Sequence, residues 1–286
     1  KIVIMSVETL PCTECDPSDR VLLSFEGSSC SIYLYGATIY SWKPVGYDER
    51  LWISKQSVMD GTKPIRGGVP IAFPQFANNG TLPLHGFARE MLWTVDNTTV
   101  KEDKVSVTLG VVDNDHSRSL WNTTGHFALQ YTVSLSKYSL TLALAVENTS
   151  TTIPFEFTNC LHTYFKTASI ENVSIDGLNG LSFIDKVDAF KSKVQSDFGS
   201  LVISDRKNTN AANTKANNTS NTVGAIHDDA YFIDRIYDRK NTATTDATET
   251  SQLSSPGINT ICLRDHNPTT TNTNTNNNKG YKNVAY

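Results

Sequence analysis

No segment of this chain holds an apolar period of 3.6 residues for ten positions, so amphipathic helices cannot build its core. Short alternating runs take their place. Val105 to Leu109 alternates apolar and small polar residues, the period-two mark of a half-buried strand. Phe127 to Leu135 and Leu140 to Val146, joined by Ser136 to Ser139, predict a hairpin. Val21 to Phe25 and Ser31 to Tyr35 predict two strands around a turn at Glu26 to Ser29, with Gly36 to Ile39 continuing the second. Arg50 to Ile53, Val173 to Leu178 and Ile258 to Leu263 are further strand candidates, and Ser117 to Trp121 allows one helical turn. Many short strands with turns between them indicate an all-β chain, an antiparallel sandwich or barrel. A large antiparallel β-sandwich running through residues 1–286 as one domain suits the length.

Two stretches depart from this pattern. Residues 204–222 and most of 240–279 are Asn, Thr, Ala and Lys with hardly an apolar side chain, and are expected as low-complexity loops. The net charge of −4 and pI near 5.9 give no overall pull toward nucleic acid or an anionic membrane, so any grip on an anion must be local. No apolar run approaches the roughly 20 residues of a membrane-spanning helix. The cysteines, Cys12, Cys15, Cys30, Cys160 and Cys262, offer a single C-x-x-C with no second ligand pair. That argues against a zinc site and for a reduced, cytoplasmic protein. The first residue is Lys1, so an organelle leader stays open.

Pro64 to Glu90 is the stretch richest in chemistry. Pro64, Pro70, Pro74 and Pro83, with Gly67, Gly68, Gly80 and Gly86, forbid a regular helix or a central strand and predict a shaped loop system. Within it stand Arg66, Gln75, His85 and Arg89, interleaved with Ile71, Ala72, Phe73, Phe76 and Phe87 as candidate buried anchors. Arginines beside Gly and Pro are ordinarily surface turn residues. Held on an anchored loop, however, a guanidinium can give a phosphate or carboxylate two parallel hydrogen bonds. Gly67 and Gly68 are expected to let backbone N–H groups approach the same ligand.

The order Arg66-Gly67-Gly68-Val69-Pro70, then Phe73-Pro74-Gln75-Phe76, then Leu82-Pro83-Leu84-His85-Gly86-Phe87-Ala88-Arg89 resembles the glucose-6-phosphate 1-epimerase family. These are hexose-6-phosphate mutarotases related to the aldose 1-epimerases. Leu161-His162-Thr163-Tyr164-Phe165 is similar to the family strand that carries its catalytic histidine, and Asp229 to Tyr237 is similar to the segment whose aspartate contacts the sugar. The resemblance implies a galactose mutarotase-like supersandwich with its site in a groove on one concave sheet. By itself, a strand histidine is more often a structural hydrogen-bonding residue than a catalyst, and an Asp-Arg pair such as Asp234-Arg235 is commonly a surface ion pair.

Interconverting α and β anomers of a pyranose requires opening the ring. A base takes the anomeric hydroxyl proton while an acid protonates the ring oxygen, and the steps reverse after C1 rotates. No metal or cofactor is needed. The resemblance implies His162 as the acid, a role suited to an ordinary imidazole pKa of about 6.5. It further implies His85 as a hydrogen-bonding group near the ring oxygen, Asp234 on a sugar hydroxyl, Arg66 and Arg89 on the 6-phosphate, and Gln75 as a weaker pocket candidate. The expected partner is a small-molecule hexose 6-phosphate, bound by a monomer.

Two departures stand out. Leu84 occupies a position where the family has Gln, a sugar contact. The family base is a glutamate near the C-terminus, and this chain has none after Glu249. The resemblance covers roughly residues 20–240. The expectation is a sandwich incomplete at its C-terminus, with the glutamate beyond Tyr286. The alternative is a catalytically inactive carbohydrate-phosphate-binding module on the same fold.

Overall fold

A computed structural model describes residues 5–10, 19–78, 80–121, 126–169, 173–195, 201–202, 235–238 and 262–265. Asp234, the loop expected at 204–222 and most of that at 240–279 lie outside the described residues. The chain divides into two compact units, Lys1–Lys166 and Thr167–Tyr286.

In the first unit, β1 (Met5–Leu10), β2 (Arg20–Phe25), β3 (Ser28–Tyr33) and β4 (Thr38–Lys43) form one antiparallel sheet in sequence order. After β5 (Ile71–Ala72), a second antiparallel sheet is built from β6 (Thr94–Val100), β7 (Val105–Val112), β8 (Phe127–Leu135) and β9 (Leu140–Asn148). The hairpin expected at Ser136 to Ser139 is the β8–β9 connection. Alternation assigns the faces: β8 buries Phe127, Leu129, Tyr131, Val133 and Leu135, and β7 buries Val105, Val107 and Leu109. These side chains meet Val21, Leu23, Phe25, Cys30, Ile32 and Ile39 of the first sheet in one hydrophobic core. Two inner faces interdigitating in this way make an antiparallel β-sandwich. The outer face is polar, with Ser106 against Ser134 at 2.8 Å and Thr108 against Thr132 at 3.0 Å.

Turn chemistry moves several expected boundaries. Glu26 and Gly27 both have positive φ, 46° and 89°, the backbone of a two-residue hairpin, so β3 begins at Ser28 rather than Ser31. Gly36 and Ala37, φ 70° and 46°, break the run that was expected to continue to Ile39, and β4 starts afresh at Thr38. The helical turn is α1 (Asp115–Leu120), capped by Asn114, whose side chain accepts from the Ser117 N–H at 2.9 Å while Ser117 Oγ accepts from the Asn114 N–H. Beside it, Asp113 gathers Arg118, His126 and the Phe127 N–H.

The second unit adds β11 (Val173–Asp176), after the two-residue β10 (Cys160–Leu161) that closes the first, then β12 (Ser182–Asp185), β13 (Lys191–Val194), β14 (Leu201–Val202), β15 (Arg235–Asp238) and β16 (Cys262–Asp265). They pair antiparallel as β14-β11-β16 and β13-β12-β15. Phe183 packs on Tyr237 at 5.1 Å between centroids, and the Tyr237 hydroxyl donates to Gln195 at 2.9 Å.

Candidate active site

The stretch from Pro64 to Glu90 is the shaped loop system its composition predicts, threaded between β4 and the segment around β10. Val69 N–H donates to the Ile39 carbonyl at 2.9 Å, and Gly68 N–H to the Trp52 carbonyl at 2.8 Å. Gly68 has φ +67°, and a Cβ there would come within 2.1 Å of the Ile39 oxygen. Gly68 is therefore glycine so that two backbones can touch. Its N–H is spent on Trp52, which corrects the expectation that this amide reaches a ligand. Arg50 to Ile53, expected as a strand, contributes two isolated bridges, Leu51 to Phe165 and Ile53 to Gly67.

Residues 158–164 lie antiparallel to residues 68–74, yet only Cys160–Leu161 and Ile71–Ala72 form a regular ladder. The reason is the prolines. Thr158 N–H donates to the Pro74 carbonyl at 2.9 Å and His162 N–H to the Pro70 carbonyl at 3.0 Å, but proline has no N–H to return. Tyr164 N–H extends the row onto the Gly68 carbonyl at 2.8 Å. Side chains alternate along this segment, with His162 and Tyr164 on one face and their rings stacked at 4.8 Å.

His85 comes to the same place from the other side. Its φ of 65°, followed by Gly86 at 68°, turns the chain sharply, and its imidazole meets that of His162 edge to face with centroids 5.3 Å apart. Phe76 packs on both, at 5.4 Å from His85 and 6.3 Å from His162. The Ala77 N–H donates to His85 Nδ1 at 3.2 Å, and the His85 N–H donates back to the Ala77 carbonyl at 3.1 Å. Gln75, 4% exposed, turns its amide into this loop: Nε2 donates to the carbonyls of Ala77 and Leu82, and Oε1 accepts from the Leu82 N–H.

Arg89 lies in a 3₁₀ turn, Ala88–Glu90, pinned from beneath by the buried Trp93, whose indole N–H donates to the Ala88 carbonyl at 3.0 Å. Its guanidinium donates to the Leu84 carbonyl at 2.7 Å. Burial pulls the Arg89 pKa down, opposed by Glu90, Tyr164 and Tyr35. Tyr35 is pushed up by burial, then by Glu90 and Asp60, against the pull of Arg89. Arg66 is exposed, and its backbone is held by the Ser57 hydroxyl and the Ser54 N–H. Leu84 is 49% exposed beside His85.

Sequence reasoning did not single out the aromatic wall. Trp52, 45% exposed, stands 6.1 Å from the Tyr164 ring, which carries the row Trp52, Tyr164, His162. The signal available was the Trp-x-Ile of a strand candidate and the Tyr two positions after His162. Among the described residues no group of three His, Cys, Asp or Glu side chains is placed to hold a metal ion. No helix in those residues is long and apolar enough to cross a membrane. A groove of about 400 Å³ over β6 to β8, lined by Leu92, Thr94, Asp96 and Gln130, contains none of the site residues.

The chain is thus an antiparallel sandwich presenting two facing histidines and a half-buried arginine on a proline-broken loop, and comparison with known proteins bears on it directly. The aldose 1-epimerase family matches residues 19–279, and the chain belongs to that family. It is 35% identical over 184 residues to an Escherichia coli protein provisionally named glucose-6-phosphate 1-epimerase, covering 64% of this chain and 60% of that one. A Cenchrus ciliaris protein with the same provisional name is 33% identical over 178 residues, covering 60% and 54%. A crystal structure of a Salmonella typhimurium protein, provisionally titled a mutarotase, superposes with a TM-score of 0.61 at 30% identity, covering 71% of this chain and 67% of that one. The matched region thus spans between half and two thirds of the length of these curated relatives.

Proposed function

We propose that this protein interconverts the α and β anomers of a hexose 6-phosphate, glucose 6-phosphate foremost, by general acid–base opening of the ring. The observation that carries this reading is the His85–His162 pair, set edge to face at 5.3 Å, with the Arg89 guanidinium held on the carbonyl of Leu84, the residue before His85. In it, His162 gives the ring oxygen its proton and recovers it on closure. His85 hydrogen-bonds the sugar near that oxygen and orients it. Arg89 and Arg66 take the 6-phosphate, for which a charged, forked donor is the fitting partner. Asp234, outside the described residues, takes a sugar hydroxyl, and a carboxylate base, to which no residue of this chain is assigned, takes the anomeric hydroxyl proton. Each proton-transfer group would contribute about 10²–10⁴ in rate.

Binding of the sugar phosphate without turnover is the second reading. Polarimetry separates the two. Freshly dissolved α-glucose 6-phosphate should reach its equilibrium rotation faster with the protein than in buffer alone. An unchanged rate alongside saturable binding of the sugar phosphate would establish a binding module instead.

A further inference from the structure

The loop under His85 is built more elaborately than a ligand contact alone requires. Gln75, Ala77, Leu82 and His85 close a ring of hydrogen bonds in which almost every polar atom has a defined role. The Ala77 N–H can only donate, so His85 Nδ1, 3.2 Å away, must accept, and in the neutral imidazole the proton then sits on Nε2. The Ala77 carbonyl receives both the His85 N–H at 3.1 Å and Gln75 Nε2 at 3.0 Å. Gln75 Nε2 also donates to the Leu82 carbonyl at 3.2 Å, and Gln75 Oε1 accepts from the Leu82 N–H at 3.2 Å. The buried amide therefore ties the two limbs of the loop together and fixes Ala77 by its carbonyl, the residue whose own N–H meets His85 Nδ1. Ala77 itself has φ 57°, a conformation an alanine does not choose unaided.

We infer that Gln75 is a positioning residue that, through Ala77, locks His85 as a neutral imidazole donating from Nε2–H. This deepens the proposed function and rests on it for its kinetic consequence: His85 is then a fixed hydrogen-bond donor toward the sugar, and of the two histidines only His162 transfers a proton. The amide of Gln75 is committed to the loop instead of the sugar. Gly80 is part of the same device. Its φ is +149°, and a Cβ there would stand 2.3 Å from Gln75 Oε1, so any other residue pushes the amide out of its bonds.

The test is long-range ¹H–¹⁵N NMR of the histidine side chains, with the His85 signals assigned by their loss in His85→Asn. Wild-type protein at neutral pH should show His85 with an unprotonated Nδ1 and a protonated Nε2. Gln75→Leu should mix the two tautomers and lower kcat/KM on the order of 10²-fold, as expected for a reacting group misplaced by about 1 Å. Gly80→Ala, which leaves Gln75 in place, should shift the same signals in the same direction and serves if Gln75→Leu fails to fold. A wild-type proton on Nδ1, or unchanged His85 signals in a folded Gln75→Leu or Gly80→Ala protein, overturns the inference. The tautomer reads out without turnover, so it is tested even if the mutarotase reading fails.

Discussion

His162 and Tyr164, two residues apart, stack at 4.8 Å because the segment that carries them donates backbone N–H groups to Pro70 and Gly68 in turn. That one-sided ladder leaves both rings on one face of the segment, where His162 meets His85 and Tyr164 meets Trp52. The prolines opposite prevent a regular strand from forming, while the alternation of side chains survives.

Replacing His162 with Asn should remove the acid and trim a half-buried ring. Anomer exchange should fall by about 10²–10⁴, with the protein still folded and its thermal midpoint only modestly lowered. Exchange kinetics and calorimetry on the same sample check both halves.

Phosphate recognition should separate from sugar recognition. Arg89→Met should weaken hexose 6-phosphate binding by roughly 10–100-fold, the worth of a charge-assisted hydrogen bond, and change free-hexose binding far less. Arg66→Met should act in the same direction. Titration calorimetry with glucose 6-phosphate and glucose distinguishes the cases, and equal losses for the two ligands would count against the phosphate assignment.

Gly68→Ala should be among the most damaging single substitutions in the first unit. Its Cβ would meet the Ile39 carbonyl at 2.1 Å in a positive-φ conformation, and no flexible side chain can give way. A loss of roughly 3 kcal/mol or more is expected. Urea denaturation measures it.

Acid should weaken the α1 corner. Burial pushes the Asp113 pKa up, but Arg118, the Phe127 N–H and His126 outweigh it, and the net shift is down. A depressed carboxylate contributes its stability above the unfolded value of about 3.9 and loses it as pH falls through the lower folded value. Asp113→Asn should therefore be destabilised at neutral pH, and its deficit against wild type should shrink below about pH 4. Urea midpoints measured from neutral to acid pH give the trend.

Much of the sandwich was legible because its central strands alternate: Val105 to Leu109 and the hairpin from Phe127 to Val146 announce β7, β8 and β9. Strand β6 was not, since Asp96, Asn97, Thr98 and Thr99 put polar residues on a largely exposed edge and leave no apolar rhythm to read. Strand β1, which pairs with β2 alone, was missed although Met5 and Val7 alternate with Ser6 and Glu8 and pack on the core, because the run is short and only half-buried. In the site, motif order pointed to Arg66, His85, Arg89 and His162, but the commitment of the Gly68 N–H to Trp52 depends on a separate segment, and that of the Gln75 amide to Ala77 and Leu82 on how the loop folds back on itself, neither of which a motif encodes. Trp52 joins the site only through pairing with Tyr164 more than a hundred residues later.

The central claim is that His162 moves the proton that opens the sugar ring. Saturation-transfer NMR on glucose 6-phosphate tests it most directly, with the full-length protein and its His162→Asn variant at equal concentration. The account predicts transfer between the α and β anomeric signals above the buffer rate for the wild type, and a return to the buffer rate for a variant that still binds the sugar phosphate. Equal transfer by both proteins, or none by either while binding persists, would contradict it.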